Sequence, residues 1–151
     1  MNKVVAKVTA RIEERSVKTR EQYLSMIAAQ RDEGRNRDNL NCSNIAHAAA
    51  AMDGAIKENL ITGQGPNIGI VTAYNDLVSA HCPYKVYPDE IKAAVEECNA
   101  SAQVAGGVPA MCDGVTQGHP GMDMSLFSRD LIAQGVAVAL SHNVFDGALL
   151  L

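Results

Sequence analysis

Two stretches of this chain set metal- and anion-binding side chains among the glycines and prolines that let a ligand approach the backbone. One runs from Gly106 to Arg129, GGVPAMCDGVTQGHPGMDMSLFSR, and contains Cys112-Asp113-Gly114 and Ser128-Arg129. Asp113 offers hard carboxylate oxygens suited to Mg²⁺. Cys112 offers a soft thiolate suited to an Fe–S cluster. Ser125, Ser128 and Arg129 fall near the start of the following helix, where free N–H groups beside a guanidinium make a carboxylate or phosphate site. An ion pair of Arg129 with Asp123 or Asp130 is the alternative for that side chain. The other stretch places Asn75-Asp76, Ser79, His81 and Cys82 directly after the apolar run NIGIVTAY, residues 67–74. Polar groups just past the carboxyl end of a parallel strand are where open α/β sheets hold ligands. Both stretches also read as polar surface loops, and residue types alone do not choose.

The elements that must position these residues follow from periodicity. Residues 2–30 predict a helical arm, one helix or two, with Val4, Val8 and Ile12 on one stripe, Tyr23, Leu24 and Ile27 on a shifted one, and a charged opposite side. A polar break around Gly34 follows. Ser43 is the expected N-cap of a second helix whose face carries Ile45, Ala48, Ala49, Met52 and Ile56. Residues 67–74 predict a buried strand. Pro88 at a first helical position, with Asp89 and Glu90 in the first turn, predicts a helix that buries Ile91, Ala94, Val95 and Cys98. Residues 102–111 predict a second strand. Residues 123–142 predict a long helix burying Met124, Phe127, Leu131 and Val138, with Gly135 allowing a close approach. FDGALLL, 145–151, starts a third strand. The order gives an α/β fold, a mainly parallel sheet flanked by helices with an amino-terminal helical arm over 1–60. The α/β part, 61–151, stops in mid-pattern, so it is expected to be incomplete at the C-terminus. Its uncovered edge is expected to leave the isolated chain prone to aggregation.

Composition narrows the chemistry. The chain has 151 residues, 47% hydrophobic and 20% charged, and a net charge of −4, enough for one domain with a core. It lacks the basic excess of a nucleic-acid surface and has no Trp for stacking. No apolar run reaches the ~18 residues of a membrane span, and the charged amino terminus is unlike a signal peptide, so a cytoplasmic protein is expected. The four cysteines, at 42, 82, 98 and 112, form no Cys-x-x-Cys pair. They read as small buried hydrophobes or as ligands to a soft metal. No G-x-G-x-x-G, P-loop or G-x-S-x-G motif occurs, which removes the main support for nucleotide binding and serine hydrolysis.

The segments TAYNDLVSAHCPYKVYP, QVAGGVPAMCDGVTQG, GMDMSLFSRDLIA and SHNVFDGALLL resemble the amino-terminal part of the dihydroxy-acid dehydratase and 6-phosphogluconate dehydratase family, over about Val8 to Leu151. The Tyr-Asn-Asp, Ala-His and Met-Cys-Asp-Gly elements resemble its phosphogluconate branch. The resemblance implies a hydro-lyase that removes water from 6-phospho-D-gluconate in the Entner–Doudoroff pathway, or a dihydroxy-acid or aldonic-acid dehydratase as the alternative. A non-catalytic anion-binding module is the reading outside enzymes. The resemblance further implies a 4Fe–4S cluster, a divalent cation such as Mg²⁺ and a homodimer. It assigns Asp113 to the cation, Asn75, Asp76 and His81 to the substrate-facing loop, and Ser128-Arg129 to a segment near the active site. Cys112 is a candidate cluster ligand. The 2Fe–2S branch carries a cluster cysteine where this chain has Ala80. The family's main cluster cysteines are expected beyond Leu151, so the chain is expected to be a fragment without activity of its own.

Overall fold

The computed structural model describes residues 2–107 and 109–151. The chain divides into two compact units, one ending at Arg35 and the other running from Asn36 to Leu151. The first is a single helix, α1, Lys3–Asp32. Asn2 caps it, its side chain accepting from Val4 N at 2.8 Å. The residues expected to make one helix or two thus make one. No residue of α1 is buried, and Val4, Val8, Ile12 and Tyr23 lie exposed along it.

The second unit begins with a short 3-10 turn, Asn36–Asn39, and two helices, α2 (Cys42–Ala49) and α3 (Gly54–Thr62). The single helix expected from Ser43 is therefore two. Asn41, not Ser43, is the N-cap. Its side chain accepts from Asn44 N at 3.0 Å, and the Asn44 side chain accepts from Asn41 N at 3.3 Å, a reciprocal cap that fixes the start two residues earlier. Both helices lie within this unit, α3 against the strand Ser101–Gly107 and α2 against α3, although the sequence groups residues up to 60 with the arm.

Three strands follow: β1 (Asn67–Thr72), β2 (Ser101–Gly107) and β3 (Gly147–Leu150). They form one sheet in the order β2-β1-β3, and both pairings are parallel. The apolar, β-branched β1 takes the central place that needs burial on both faces, with Ile70 and Val71 closed off from solvent. Helix α4 (Tyr87–Glu96) connects β1 to β2, and α6 (Met124–Leu140) connects β2 to β3. Between β2 and α6 lie the one-turn α5 (Asp113–Thr116) and a 3-10 turn, Pro120–Asp123. The α/β architecture expected from the sequence is the one observed.

Three expectations about individual residues are corrected. Cys98 is exposed, not core, because α4 ends at Glu96 and the chain turns through Asn99, whose φ is 54°. On α6, Met124, Phe127, Leu131 and Val138 are all exposed, and Ala139 is the buried residue. The face of α6 turned away from solvent carries Ser128, Ile132, Gly135, Val136 and Ala139, about a quarter turn round the helix from the expected stripe. Strand β2 ends at Gly107; of the residues 108–111 also expected in it, Val108 lies outside the described residues and 109–111 are irregular.

A buried polar network ties the amino ends of the strands together. Arg37 is only 3% exposed. Its Nη2 donates to Gly65 O at 2.6 Å and pairs with Asp146 Oδ2 at 3.2 Å. The same Asp146 oxygen accepts from Asn67 N at 2.8 Å. Asn67, fully buried, donates through Nδ2 to Gln103 Oε1 and Val144 O and accepts from Ser101 Oγ. Asn59 accepts from Gly65 N and donates to Ser101 Oγ, both at 2.6 Å. Each bond replaces water for a group that the fold buries, which is why these polar residues tolerate the interior.

Candidate functional site

The carboxyl ends of β1 and β2 lie side by side, Thr72 opposite Gly107 in the register. The two chemistry-bearing stretches therefore leave the sheet at one edge, the place where ligands gather in parallel sheets. A bulge sharpens this arrangement. Ile70 faces Val104 but Val71 faces Gly106, so β2 carries one extra residue between them. Gly106 adopts φ 114°, open to glycine and hostile to other residues.

The loop after β1 is built around one carbonyl. Ala73 O accepts from Asn75 Nδ2 at 2.9 Å and from His81 Nδ1 at 3.0 Å. A carbonyl can only accept, so Nδ1 carries the proton and Nε2 of the neutral ring is left as an acceptor. Asn75 Oδ1 accepts from Val78 N at 2.7 Å. Both ends of the Asn75 carboxamide thus shape the loop. Asp76 is exposed, and its Oδ1 accepts from Tyr74 OH at 2.9 Å. The His81 ring lies 4.9 Å from that of Tyr84, which in turn lies 5.8 Å from Tyr87. Sequence reasoning passed over Tyr74 and Tyr84 as site neighbours. The Tyr-x-Asp spacing was the available signal for the first.

The Tyr74 phenol is pushed above its usual value, first by its hydrogen bond to Asp76, then by burial and by the negative charges of Asp76 and Cys82. Replacing Asp76 by Ala is expected to bring Tyr74 back toward about 10, read by ultraviolet titration of the phenolates. A raised value means the folded loop keeps the proton where the unfolded chain releases it. This contribution to stability is complete below about pH 10 and falls as pH rises through the folded value.

The second stretch is more open. Cys112 precedes α5 as its N-cap and is half-buried; Asp113 opens that turn and is exposed. Thr116 Oγ1 donates back to Cys112 O at 3.2 Å. Ser128 and Arg129 lie on the second turn of α6. Ser128 Oγ donates to Ser125 O at 2.8 Å, within its own helix. Arg129 is exposed and, among the described residues, makes no ion pair with Asp123 or Asp130.

The donors in this chain do not by themselves fit the metal groups that the resemblance implies. Among the described residues no three His, Cys, Asp or Glu side chains are grouped to hold a metal ion. The four cysteines are free and fall on separate elements. A cavity of about 420 Å³ lies elsewhere, along β2 between α2 and α6, lined by His47, Gln103, His142 and Phe145, and none of the sequence-predicted site residues borders it.

The polar residues past β1 and β2 lie at the strand ends where parallel α/β sheets hold ligands. Residues 65–151 match the family described as dihydroxy-acid/6-phosphogluconate dehydratase N-terminal, and the chain belongs to that family. Along its full length it is 56% identical to a phosphogluconate dehydratase of Zymomonas mobilis and 52% identical to one of Escherichia coli K12, covering 25% of each. It is 40% identical to a dihydroxy-acid dehydratase of Lachnospira eligens over 92 residues, 56% of this chain and 15% of that protein. The chain thus spans about a quarter of the length of the phosphogluconate dehydratases it matches.

Proposed function

We propose that this chain forms part of a hydro-lyase that dehydrates 6-phospho-D-gluconate to 2-dehydro-3-deoxy-6-phospho-D-gluconate and water, a step of the Entner–Doudoroff pathway. One observation carries the reading. Identity to phosphogluconate dehydratases runs at 51–56% over the whole chain, whereas the dihydroxy-acid dehydratase match stops at 40% over 92 residues. A cytoplasmic setting accords with this metabolism, and no helix among the described residues is long and apolar enough to cross a membrane.

In this reading the loop after β1 faces the substrate, with Ala73 O holding His81 Nδ1 so that Nε2 is presented as an acceptor. Asp76 adds a carboxylate oxygen for a sugar hydroxyl. Arg129, exposed and without an ion pair among the described residues, binds a carboxylate or phosphate of the sugar acid, and Ser128 lines the same turn. Asp113 is the cation ligand that this chain contributes, and Cys112 is a candidate cluster ligand. The rest of the 4Fe–4S and Mg²⁺ donor sets belongs to the portion of the relatives' length that this chain does not span. The assembly is read as a homodimer.

The full-length enzyme carrying this segment tests the proposal. Turnover is expected with 6-phosphogluconate, far above that with gluconate or a branched dihydroxy acid, and none is expected from the present chain alone. Asp113→Asn in that enzyme is expected to lower kcat about 100-fold or more, as loss of a metal-ligand charge does. Preference for the dihydroxy acid would overturn the substrate assignment.

A further inference from the structure

The loop after β1 carries a pair of side chains that differ in freedom. Tyr74 is half-buried, and its backbone is anchored on both sides. Its N–H donates to Thr72 Oγ1 at 3.1 Å, and the carbonyl before it, Ala73 O, holds Asn75 Nδ2 and His81 Nδ1. Ala73 N donates in turn to Leu151 O at 2.9 Å, which ties this stretch to the residue after β3. Asp76, by contrast, is exposed. A carboxylate on a loop samples several rotamers, and a ligand that uses it must first order it. The Tyr74 hydroxyl removes that freedom by donating to Asp76 Oδ1 at 2.9 Å. A tyrosine does so with only two side-chain torsions of its own to fix.

Only one direction is open to this bond. An ionised carboxylate can only accept. The phenol is held above its usual value, first by this same bond, and so keeps its proton at neutral pH. Asp76 Oδ2 accepts from no protein group among the described residues. One oxygen is thus fixed, and the other is left for a donor. Charge says where on a phosphosugar acid that donor lies. Such a substrate carries a carboxylate at one end and a phosphate at the other, and Asp76 repels both. Its partner is therefore a hydroxyl on a carbon between them. Of these carbons C2 and C3 are altered by the dehydration, whereas the hydroxyls on C4 and C5 stay. A branched dihydroxy acid has hydroxyls only on the two reacting carbons. A carboxylate set to receive a hydroxyl from C4 or C5 is left unpaired by such a molecule, and a site built on that bond rejects it.

On the basis of the dehydratase reading, we propose that Tyr74 is a positioning residue, which holds Asp76 to accept a hydrogen bond from the C4 or C5 hydroxyl of the sugar acid. The pair thereby recognises a group that branched dihydroxy acids lack.

The full-length enzyme carrying this segment is assayed with 6-phosphogluconate and with its 4-deoxy and 5-deoxy analogues. The wild type is expected to lose about 10–100-fold in kcat/KM on one of the analogues, as loss of a hydrogen bond to a charged group does. Asp76→Ala is expected to treat that analogue and the parent substrate alike, within about 2-fold. Tyr74→Phe keeps the ring and removes only the oxygen. It is expected to lower kcat/KM about 10-fold on the parent substrate while leaving the analogue near its wild-type value, so that most of the discrimination disappears. A merely structural role would lower both substrates together and leave their ratio unchanged. A circular dichroism melt checks that each variant folds. A wild type that treats the parent and both analogues alike, an Asp76→Ala enzyme that still discriminates, or a Tyr74→Phe enzyme that keeps the full wild-type ratio would overturn the proposal and leave the dehydratase reading standing. A wild type without turnover of 6-phosphogluconate would overturn both.

Discussion

Asp146→Ala is expected to destabilise the Asn36–Leu151 unit by about 3–5 kcal/mol, the usual effect of stripping a buried charge of its partner. The guanidinium left behind has a side chain only 2% exposed. Its Nε and Nη1 already lack a hydrogen-bond partner among the described residues, so Asp146 and Gly65 O are its compensation. The same change also frees Asn67 N–H at the start of the central strand. Arg37→Met is expected to cost less, about 1–2 kcal/mol, because it removes the two unpartnered nitrogens and leaves a carboxylate that still accepts from Asn67. Denaturant unfolding followed by circular dichroism compares the two. Equal losses would mean that the charge of Arg37 is not the stressed partner.

Gly65→Ala is the second large effect expected, about 3 kcal/mol of lost stability, with the transition moved to lower denaturant at unchanged slope. An added methyl there overlaps the carbonyl oxygen of Asn99 and comes within 3.2 Å of Asn59 Oδ1. The first obstacle is backbone, held in the turn that Asn99 makes with φ 54°, and cannot rotate away. Moving Gly65 instead would disturb the bonds that its N–H and C=O make with Asn59 and Arg37. Gly114→Ala is the contrasting case. Its methyl meets only Cys112 Sγ at 3.7 Å, an ordinary contact, and a change within about 0.5 kcal/mol is expected.

The sheet and its order of helices were readable because β1 is apolar throughout and α4 announces itself with Pro88 and two acids, although Tyr87 and not Pro88 is its first residue. What escaped was set by tertiary fit. The wheel of α6 has apolar residues on every side, so periodicity offered Met124, Phe127, Leu131 and Val138 with no means of preferring the face of Ile132, Val136 and Ala139. Arg37 looked like part of a polar break, since nothing local signals that it reaches Asp146 across the sheet. At the strand ends, residue types marked both loops, but the shared carbonyl of Ala73 that organises Asn75 and His81 exists only once the loop is folded.

The strand order has a consequence for how the protein emerges from the ribosome. Strand β1 is central, yet its two neighbours become available at different times, β2 once Gly107 has been made and β3 only after α6 has followed. Throughout that interval the nascent chain carries a half-built sheet with one flank of β1 unzipped and Arg37 waiting for a counter-charge not yet translated. Such non-local closure is slow and leaves a sticky intermediate. The interval between residues 107 and 147 is therefore the window in which a holding chaperone has most to bind.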